Sequence, residues 1–192
     1  MGNKMFDIIK KFFIIYLGLS FAFGCVSPDK DKIPIPDENE LKNMDWHEFD
    51  QTDHSGWRIF MDNKEYKIAA KLIDKYIQLH PDLNPTYKKV SLFHKGQMLA
   101  SAGEYQKAVE SFKKSFRGNL KAEEDKLMLW DVYALTIIAF LEKDKARFEK
   151  YHEIYRKYSE KNQSIRLNLL KKMSENFKKP YIEITESIRV KN

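Results

Sequence analysis

Residues 127–141 read Leu-Met-Leu-Trp-Asp-Val-Tyr-Ala-Leu-Thr-Ile-Ile-Ala-Phe-Leu, and Asp131 is the only charge in the run. A helix made of these residues is apolar on nearly every face. It must therefore be surrounded by other elements rather than laid on a surface. The rest of the chain has to supply those neighbours, and its pattern supplies helices. Hydrophobic residues make up 43% and aromatics 14% of the 192 positions, enough for a packed core and too many for a disordered chain. Glycine and proline are few, at 7 and 6, and Lys, Glu, Leu and Ala dominate where strands would show β-branched alternation.

From residue 52 onward the apolar spacing is helical throughout. Asp53 is placed to cap a helix through Trp57, Phe60 and Met61, which turns at Asp62-Asn63. A second helix carries Tyr66, Ala69, Leu72, Ile73 and Tyr76 up to Pro81. Asn84-Pro85 opens a third, since Asn offers a capping oxygen and Pro is tolerated at the first helical position. It runs through Val90, Phe93, Gly96 and Leu99 to Gly103, and a fourth follows from Tyr105 through Phe112 and Phe116 to Gly118-Asn119. The buried helix 127–141 pairs with one holding Ala146, Phe148, Tyr151 and Tyr155. A last amphipathic helix holds Ile165, Leu169, Met173 and Phe177. Short turns make neighbours antiparallel, so the expected fold is all-α, a stack of helical hairpins. A weak period accompanies it: Ala69, Ala108 and Ala146 recur after 39 and 38 residues.

The first forty residues have another character. Lys4, Lys10 and Lys11 precede an apolar run from Phe12 to Phe23, which Gly24-Cys25 closes. The run is shorter than the ~20 residues a helix needs to span a bilayer and suits a signal peptide. The lone cysteine after a small residue resembles a bacterial lipoprotein signal. That resemblance implies cleavage before Cys25, diacylglycerol on its thiol, and residence in the cell envelope on a membrane. An unmodified thiol after an ordinary signal peptide and an uncleaved anchor are the alternatives. Myristoylation of Gly2 fails because Phe6 stands where Ser or Thr is wanted. Three prolines within residues 28–36 then give an extended spacer. The expected organisation is a signal peptide at 1–24, a tether at 25–40 and a helical domain at 41–192.

The segment Leu92-Phe93-His94-Lys95-Gly96-Gln97-Met98-Leu99-Ala100-Ser101-Ala102-Gly103-Glu104-Tyr105-Gln106-Lys107-Ala108-Val109-Glu110-Ser111-Phe112 resembles a tetratricopeptide repeat. Gly96, Gly103, Tyr105, Ala108 and Phe112 carry the pattern. Tyr66 to Ala69 with Pro81 resembles the latter half of a second repeat, although the period exceeds the family's 34 residues. The resemblance implies a short solenoid whose first helices line a groove. By that register His54, Arg58, Met61, Val90, Phe93, Gln97 and Ser101 face a protein or peptide partner.

Other residues weigh less. His94 and Gln97 lie one turn apart in core-like sequence, and a hydrogen-bonded link to Asp131 on the buried helix is expected there. Residues 45–54 hold two histidines and four carboxylates without a metal-site spacing, and read as a solvated acidic loop with helix caps. Phosphate-loop, dinucleotide, nucleophile-elbow and His-Glu-x-x-His motifs are absent, and no cofactor or metal is expected. The formal charge of +6 is dispersed among 28 acidic residues, which argues against nucleic acid. The leading expectation is a membrane-tethered binding scaffold rather than an enzyme. A toxin-neutralising immunity lipoprotein is a variant. An envelope enzyme using Asp53 and His54, or the His94 region, is the other class.

Overall fold

The computed structural model describes residues 33–118, 129–159 and 164–189. The expected signal peptide, Cys25 and the first half of the tether, residues 25–32, lie outside them. The described helices belong to one compact unit, Ile35–Asn192. They are α1 (Glu38–Asn43), α2 (Arg58–Asp62), α3 (Tyr66–Leu79), α4 (Pro85–Ser101), α5 (Tyr105–Lys114), α6 (Leu129–Leu141), α7 (Lys145–Tyr158), α8 (Ser164–Glu175) and α9 (Tyr181–Arg189). A single π-helical turn, His47–Gln51, lies between α1 and α2. The described residues contain no strand, so the all-α expectation holds. None of their helices is long and apolar enough to cross a membrane.

Three pairs, α2–α3, α4–α5 and α6–α7, turn through nearly the same geometry. Each first helix ends in a left-handed residue: Lys64 at φ 63°, Gly103 at φ 77°, Lys143 at φ 58°. The following amide reaches back five residues, from Glu65 to the Phe60 carbonyl, Glu104 to Leu99, and Asp144 to Ala139, at 2.8–2.9 Å. The left-handed residue's own amide reaches back three, at 3.0–3.1 Å. This pair of bonds is a Schellman cap, which satisfies carbonyls that a helix end leaves bare. The helices it joins pack against each other in every pair.

These turns also correct the sequence register. Counting five residues on from each left-handed position leads to Ala69, Ala108 and Phe148, all 0% exposed. Ala146, which the 38-residue spacing from Ala108 puts in that place, is exposed. The third hairpin therefore fills with a phenyl ring the space where the first two keep a small residue.

Helix α6 behaves as its sequence requires. From Asp131 to Leu141 every residue except Leu135 is buried, against α7 on one side and α5 and α8 on others. Asn84 caps α4 by accepting from the Thr86 amide at 2.8 Å, with Pro85 at the first position. Gly96 sits where α4 meets α5, and a Cβ there would lie 2.9 Å from the Phe112 ring.

Three expectations change. Residues 38–40, assigned to the tether, open α1. Asp37 caps it with a reciprocal Glu40 bond, and Leu41 is 1% exposed against the core. Asp53 caps nothing, because residues 52–57 form turns and α2 starts at Arg58 with no side-chain cap. The single C-terminal helix is two, α8 and α9. Lys143 ties them to the third hairpin by donating to the Phe177 and Lys179 carbonyls at 3.0 and 3.1 Å.

Candidate functional site

Helix α4 presents His94, Gln97 and Ser101 along one face, at successive turns. Helix α2 brings Arg58 and Met61 beside them, and Leu169 on α8 with Thr185 and Ile188 on α9 form the facing wall. Between them is an open cleft of about 320 Å³. Four of the seven residues expected in a groove line it: Arg58, Met61, Gln97 and Ser101. The other three do not. Phe93 is 4% exposed and packs on Phe112, Trp130 and Tyr133, with ring centroids 4.6–5.8 Å away. Val90 is half-buried outside the cleft. His54 lies on an exposed turn at φ 57°, with Nδ1 2.9 Å from Asp62 Oδ2.

Beneath the cleft is a buried carboxylate. Asp50 is 0% exposed, inside the stretch expected to be solvated. Its position follows from the chain geometry: the π turn carries Phe49 and Asp50 inward, and Gly56 lets the chain pass the Phe49 carbonyl. A Cβ at Gly56 would fall 2.1 Å from that oxygen, and its φ is 50°. Trp57 Nε1 and the Ser91 hydroxyl donate to Asp50 Oδ1 at 3.1 and 3.2 Å. Gln51 Nε2 and His94 Nδ1 donate to Oδ2 at 2.6 and 2.9 Å. Ser91 in turn accepts from Trp46 Nε1 at 3.0 Å. Burial alone would push this carboxyl up. The donors and charge of His94, with Gln51 and Trp57, hold it below the ordinary carboxylate range instead.

The network also positions the cleft's charged group. Arg58 Nε donates to the Asp50 carbonyl at 2.8 Å, and its guanidinium lies 4.7 Å from the centroid of the Trp57 ring. Arg58 has no carboxylate partner among the described residues. His94 is fixed by one ring nitrogen, with its side chain 17% exposed on the cleft side of Asp50.

The expected link from His94 and Gln97 to Asp131 does not form. His94 bonds Asp50, while Asp131 accepts from the amides of Arg117 and Gly118 at 2.8 and 2.7 Å. Asp131 thus satisfies the chain leaving the second hairpin, and Gln97 is left facing the cleft. No group of three or more His, Cys, Asp or Glu among the described residues is arranged to hold a metal.

Sequence reasoning missed Asp50, because two of its four partners, Ser91 and His94, lie 41 and 44 positions away and local composition argued for solvent. It also missed the α9 wall, although Pro180 followed by Tyr181, Ile184 and Ile188 at helical spacing was available. Comparison with protein-family models, with curated proteins and with solved structures finds no match.

Proposed function

We propose that this chain is an envelope lipoprotein, anchored through a lipid on Cys25, that binds a protein or peptide partner through a groove like that of a tetratricopeptide-repeat solenoid. The observation that carries the reading is the meeting of Arg58, Met61, Gln97 and Ser101 at one open cleft. The resemblance to a repeat brings these residues to one groove, and the side chains of Gln97 and Ser101 make no hydrogen bond among the described residues. The three matching hairpin turns support the repeat reading. Because the facing wall is the chain's own C-terminal pair, the cleft admits one anchoring group, and the rest of the partner rests on the rim. Arginine beside apolar surface is the usual composition of such an anchor point.

The test is recovery of a partner from detergent-solubilised membranes with wild-type protein as bait. Gln97→Ala should lose that partner while the circular dichroism and melting temperature stay unchanged. Arg58→Ala should lose it too, at a small cost in stability, since Arg58 also bonds the Asp50 carbonyl. Retention of the partner by both variants removes the cleft from the docking surface. Mass spectrometry of mature protein with an unmodified Cys25 removes the lipid.

The Asp50–His94 pair favours a second reading, an envelope enzyme with His94 as general base. A carboxylate on one ring nitrogen fixes the tautomer that leaves the other free to take a proton. Gln51 and Trp57 hold that carboxylate in place, so His94→Gln would abolish turnover while partner recovery persisted.

A further inference from the structure

The cleft has an uneven chemistry that a docking anchor does not by itself explain. No acidic residue lines it, and Arg58 is its one permanent charge. Arg58 is held from behind by the Asp50 carbonyl and by the Trp57 ring, which fixes the guanidinium plane and leaves its terminal amino groups unspent. The Gln97 amide and the Ser101 hydroxyl, one turn apart on α4, make no hydrogen bond among the described residues. Three side chains with donors to spare therefore line the cleft. His94, Tyr181 and Thr185 add polar atoms to the lining, and Met61, Met98, Leu169 and Ile188 supply an apolar stretch of wall. A volume of about 320 Å³ lies at the low end of small-molecule sites and is too small for an extended peptide segment.

We propose that this cleft binds a small amphiphilic carboxylic acid, with its carboxylate on Arg58 flanked by Gln97 and Ser101 and its hydrocarbon stem between the α4 and α8–α9 walls. The charge assignment follows from complementarity. A cation facing a cleft without acids favours one anion there, and a planar fork matches a carboxylate with two parallel bonds. The stem assignment follows from the methionines, whose flexible side chains adapt to aliphatic groups of varied shape. Ile165, 71% exposed at the rim, lengthens the apolar path outward. This inference goes beyond the docking reading and is measured without any partner, so either one can fail alone.

The experiment titrates the full chain in lipid nanodiscs with hexanoate and, separately, with its neutral amide, hexanamide. Empty nanodiscs serve as the blank, and saturation-transfer NMR and calorimetry are the readouts. Hexanoate should bind at least about tenfold more tightly than hexanamide. Arg58→Gln should erase that preference. Leu169→Glu, which places a carboxylate in the cleft wall, should abolish hexanoate binding and keeps the test valid if Arg58→Gln loses its fold. Equal affinity for acid and amide overturns the proposal. So does absence of hexanoate binding at millimolar concentration, or undiminished binding by Leu169→Glu.

Discussion

The three hairpin turns and the segment from Asp45 to Trp57 each bring the chain round beside a helix, by opposite means. The turns use the backbone alone: one left-handed residue and two amide bonds, repeated with Lys, Gly and Lys at the left-handed place. The earlier segment uses side chains, burying a carboxylate and surrounding it with donors from Gln51, Trp57, Ser91 and His94. A backbone device tolerates many residues at each position. A buried charge tolerates almost none, because removing a partner strands the rest without water. The fragile part of the fold is thus the part beneath the cleft, and the durable part is the repeat.

That contrast is broken most directly at Asp50. Asp50→Leu should cost about 3–5 kcal/mol in denaturant unfolding, since it strands four side-chain donors at once. A loss under about 1 kcal/mol would mean that the network is ornamental. Gly96→Leu attacks the repeat where it is tightest and should cost about 1–3 kcal/mol or more through overpacking against Phe112. An unchanged melting temperature would remove Gly96 from the helix contact.

Acid sharpens the comparison without a mutation. The folded Asp50 carboxyl lies below its ordinary 3.8, so its contribution is present at neutral pH and lost as pH falls through the folded value. The stability gap between wild type and Asp50→Leu should therefore narrow on acidification. A gap constant from pH 7 to pH 3, followed by urea unfolding, would contradict the depressed carboxyl. The smallest expected effect is Gly103→Ala. A Cβ there meets nothing within 4 Å, so only the left-handed backbone is penalised, at about 1 kcal/mol. Lysine already stands at the equivalent places in the other two hairpins, consistent with a tolerable cost.

Legibility in the sequence divides along the same line. Helices 66–79, 85–101 and 145–158 were readable because Asn84-Pro85, Gly103 and the apolar spacing act locally. The buried status of α6 was readable from its composition alone. A third of the cleft lining was readable too, because the resemblance to a tetratricopeptide repeat brings Arg58, Met61, Gln97 and Ser101 to one groove. Asp50 was not, since its burial depends on Ser91 and His94 arriving from another helix. Nor was Phe93, whose helical position suits groove and core alike until Trp130 and Tyr133 decide it. Ala146 misled because a small residue on an exposed face mimics one at a helix contact.

The far wall of the cleft has a consequence for the order in which the molecule is completed. Glu186 accepts from Lys64 at 3.1 Å and from the Tyr66 hydroxyl at 3.0 Å, closing loops of 122 and 120 residues. The three hairpins close through turns local in sequence, so they can assemble before α9 docks. Throughout that interval the cleft lacks Tyr181, Thr185 and Ile188, and its wall is complete only when α9 packs back against residues 64–66. A chain halted before that step would hold most of its fold and a cleft open along one wall.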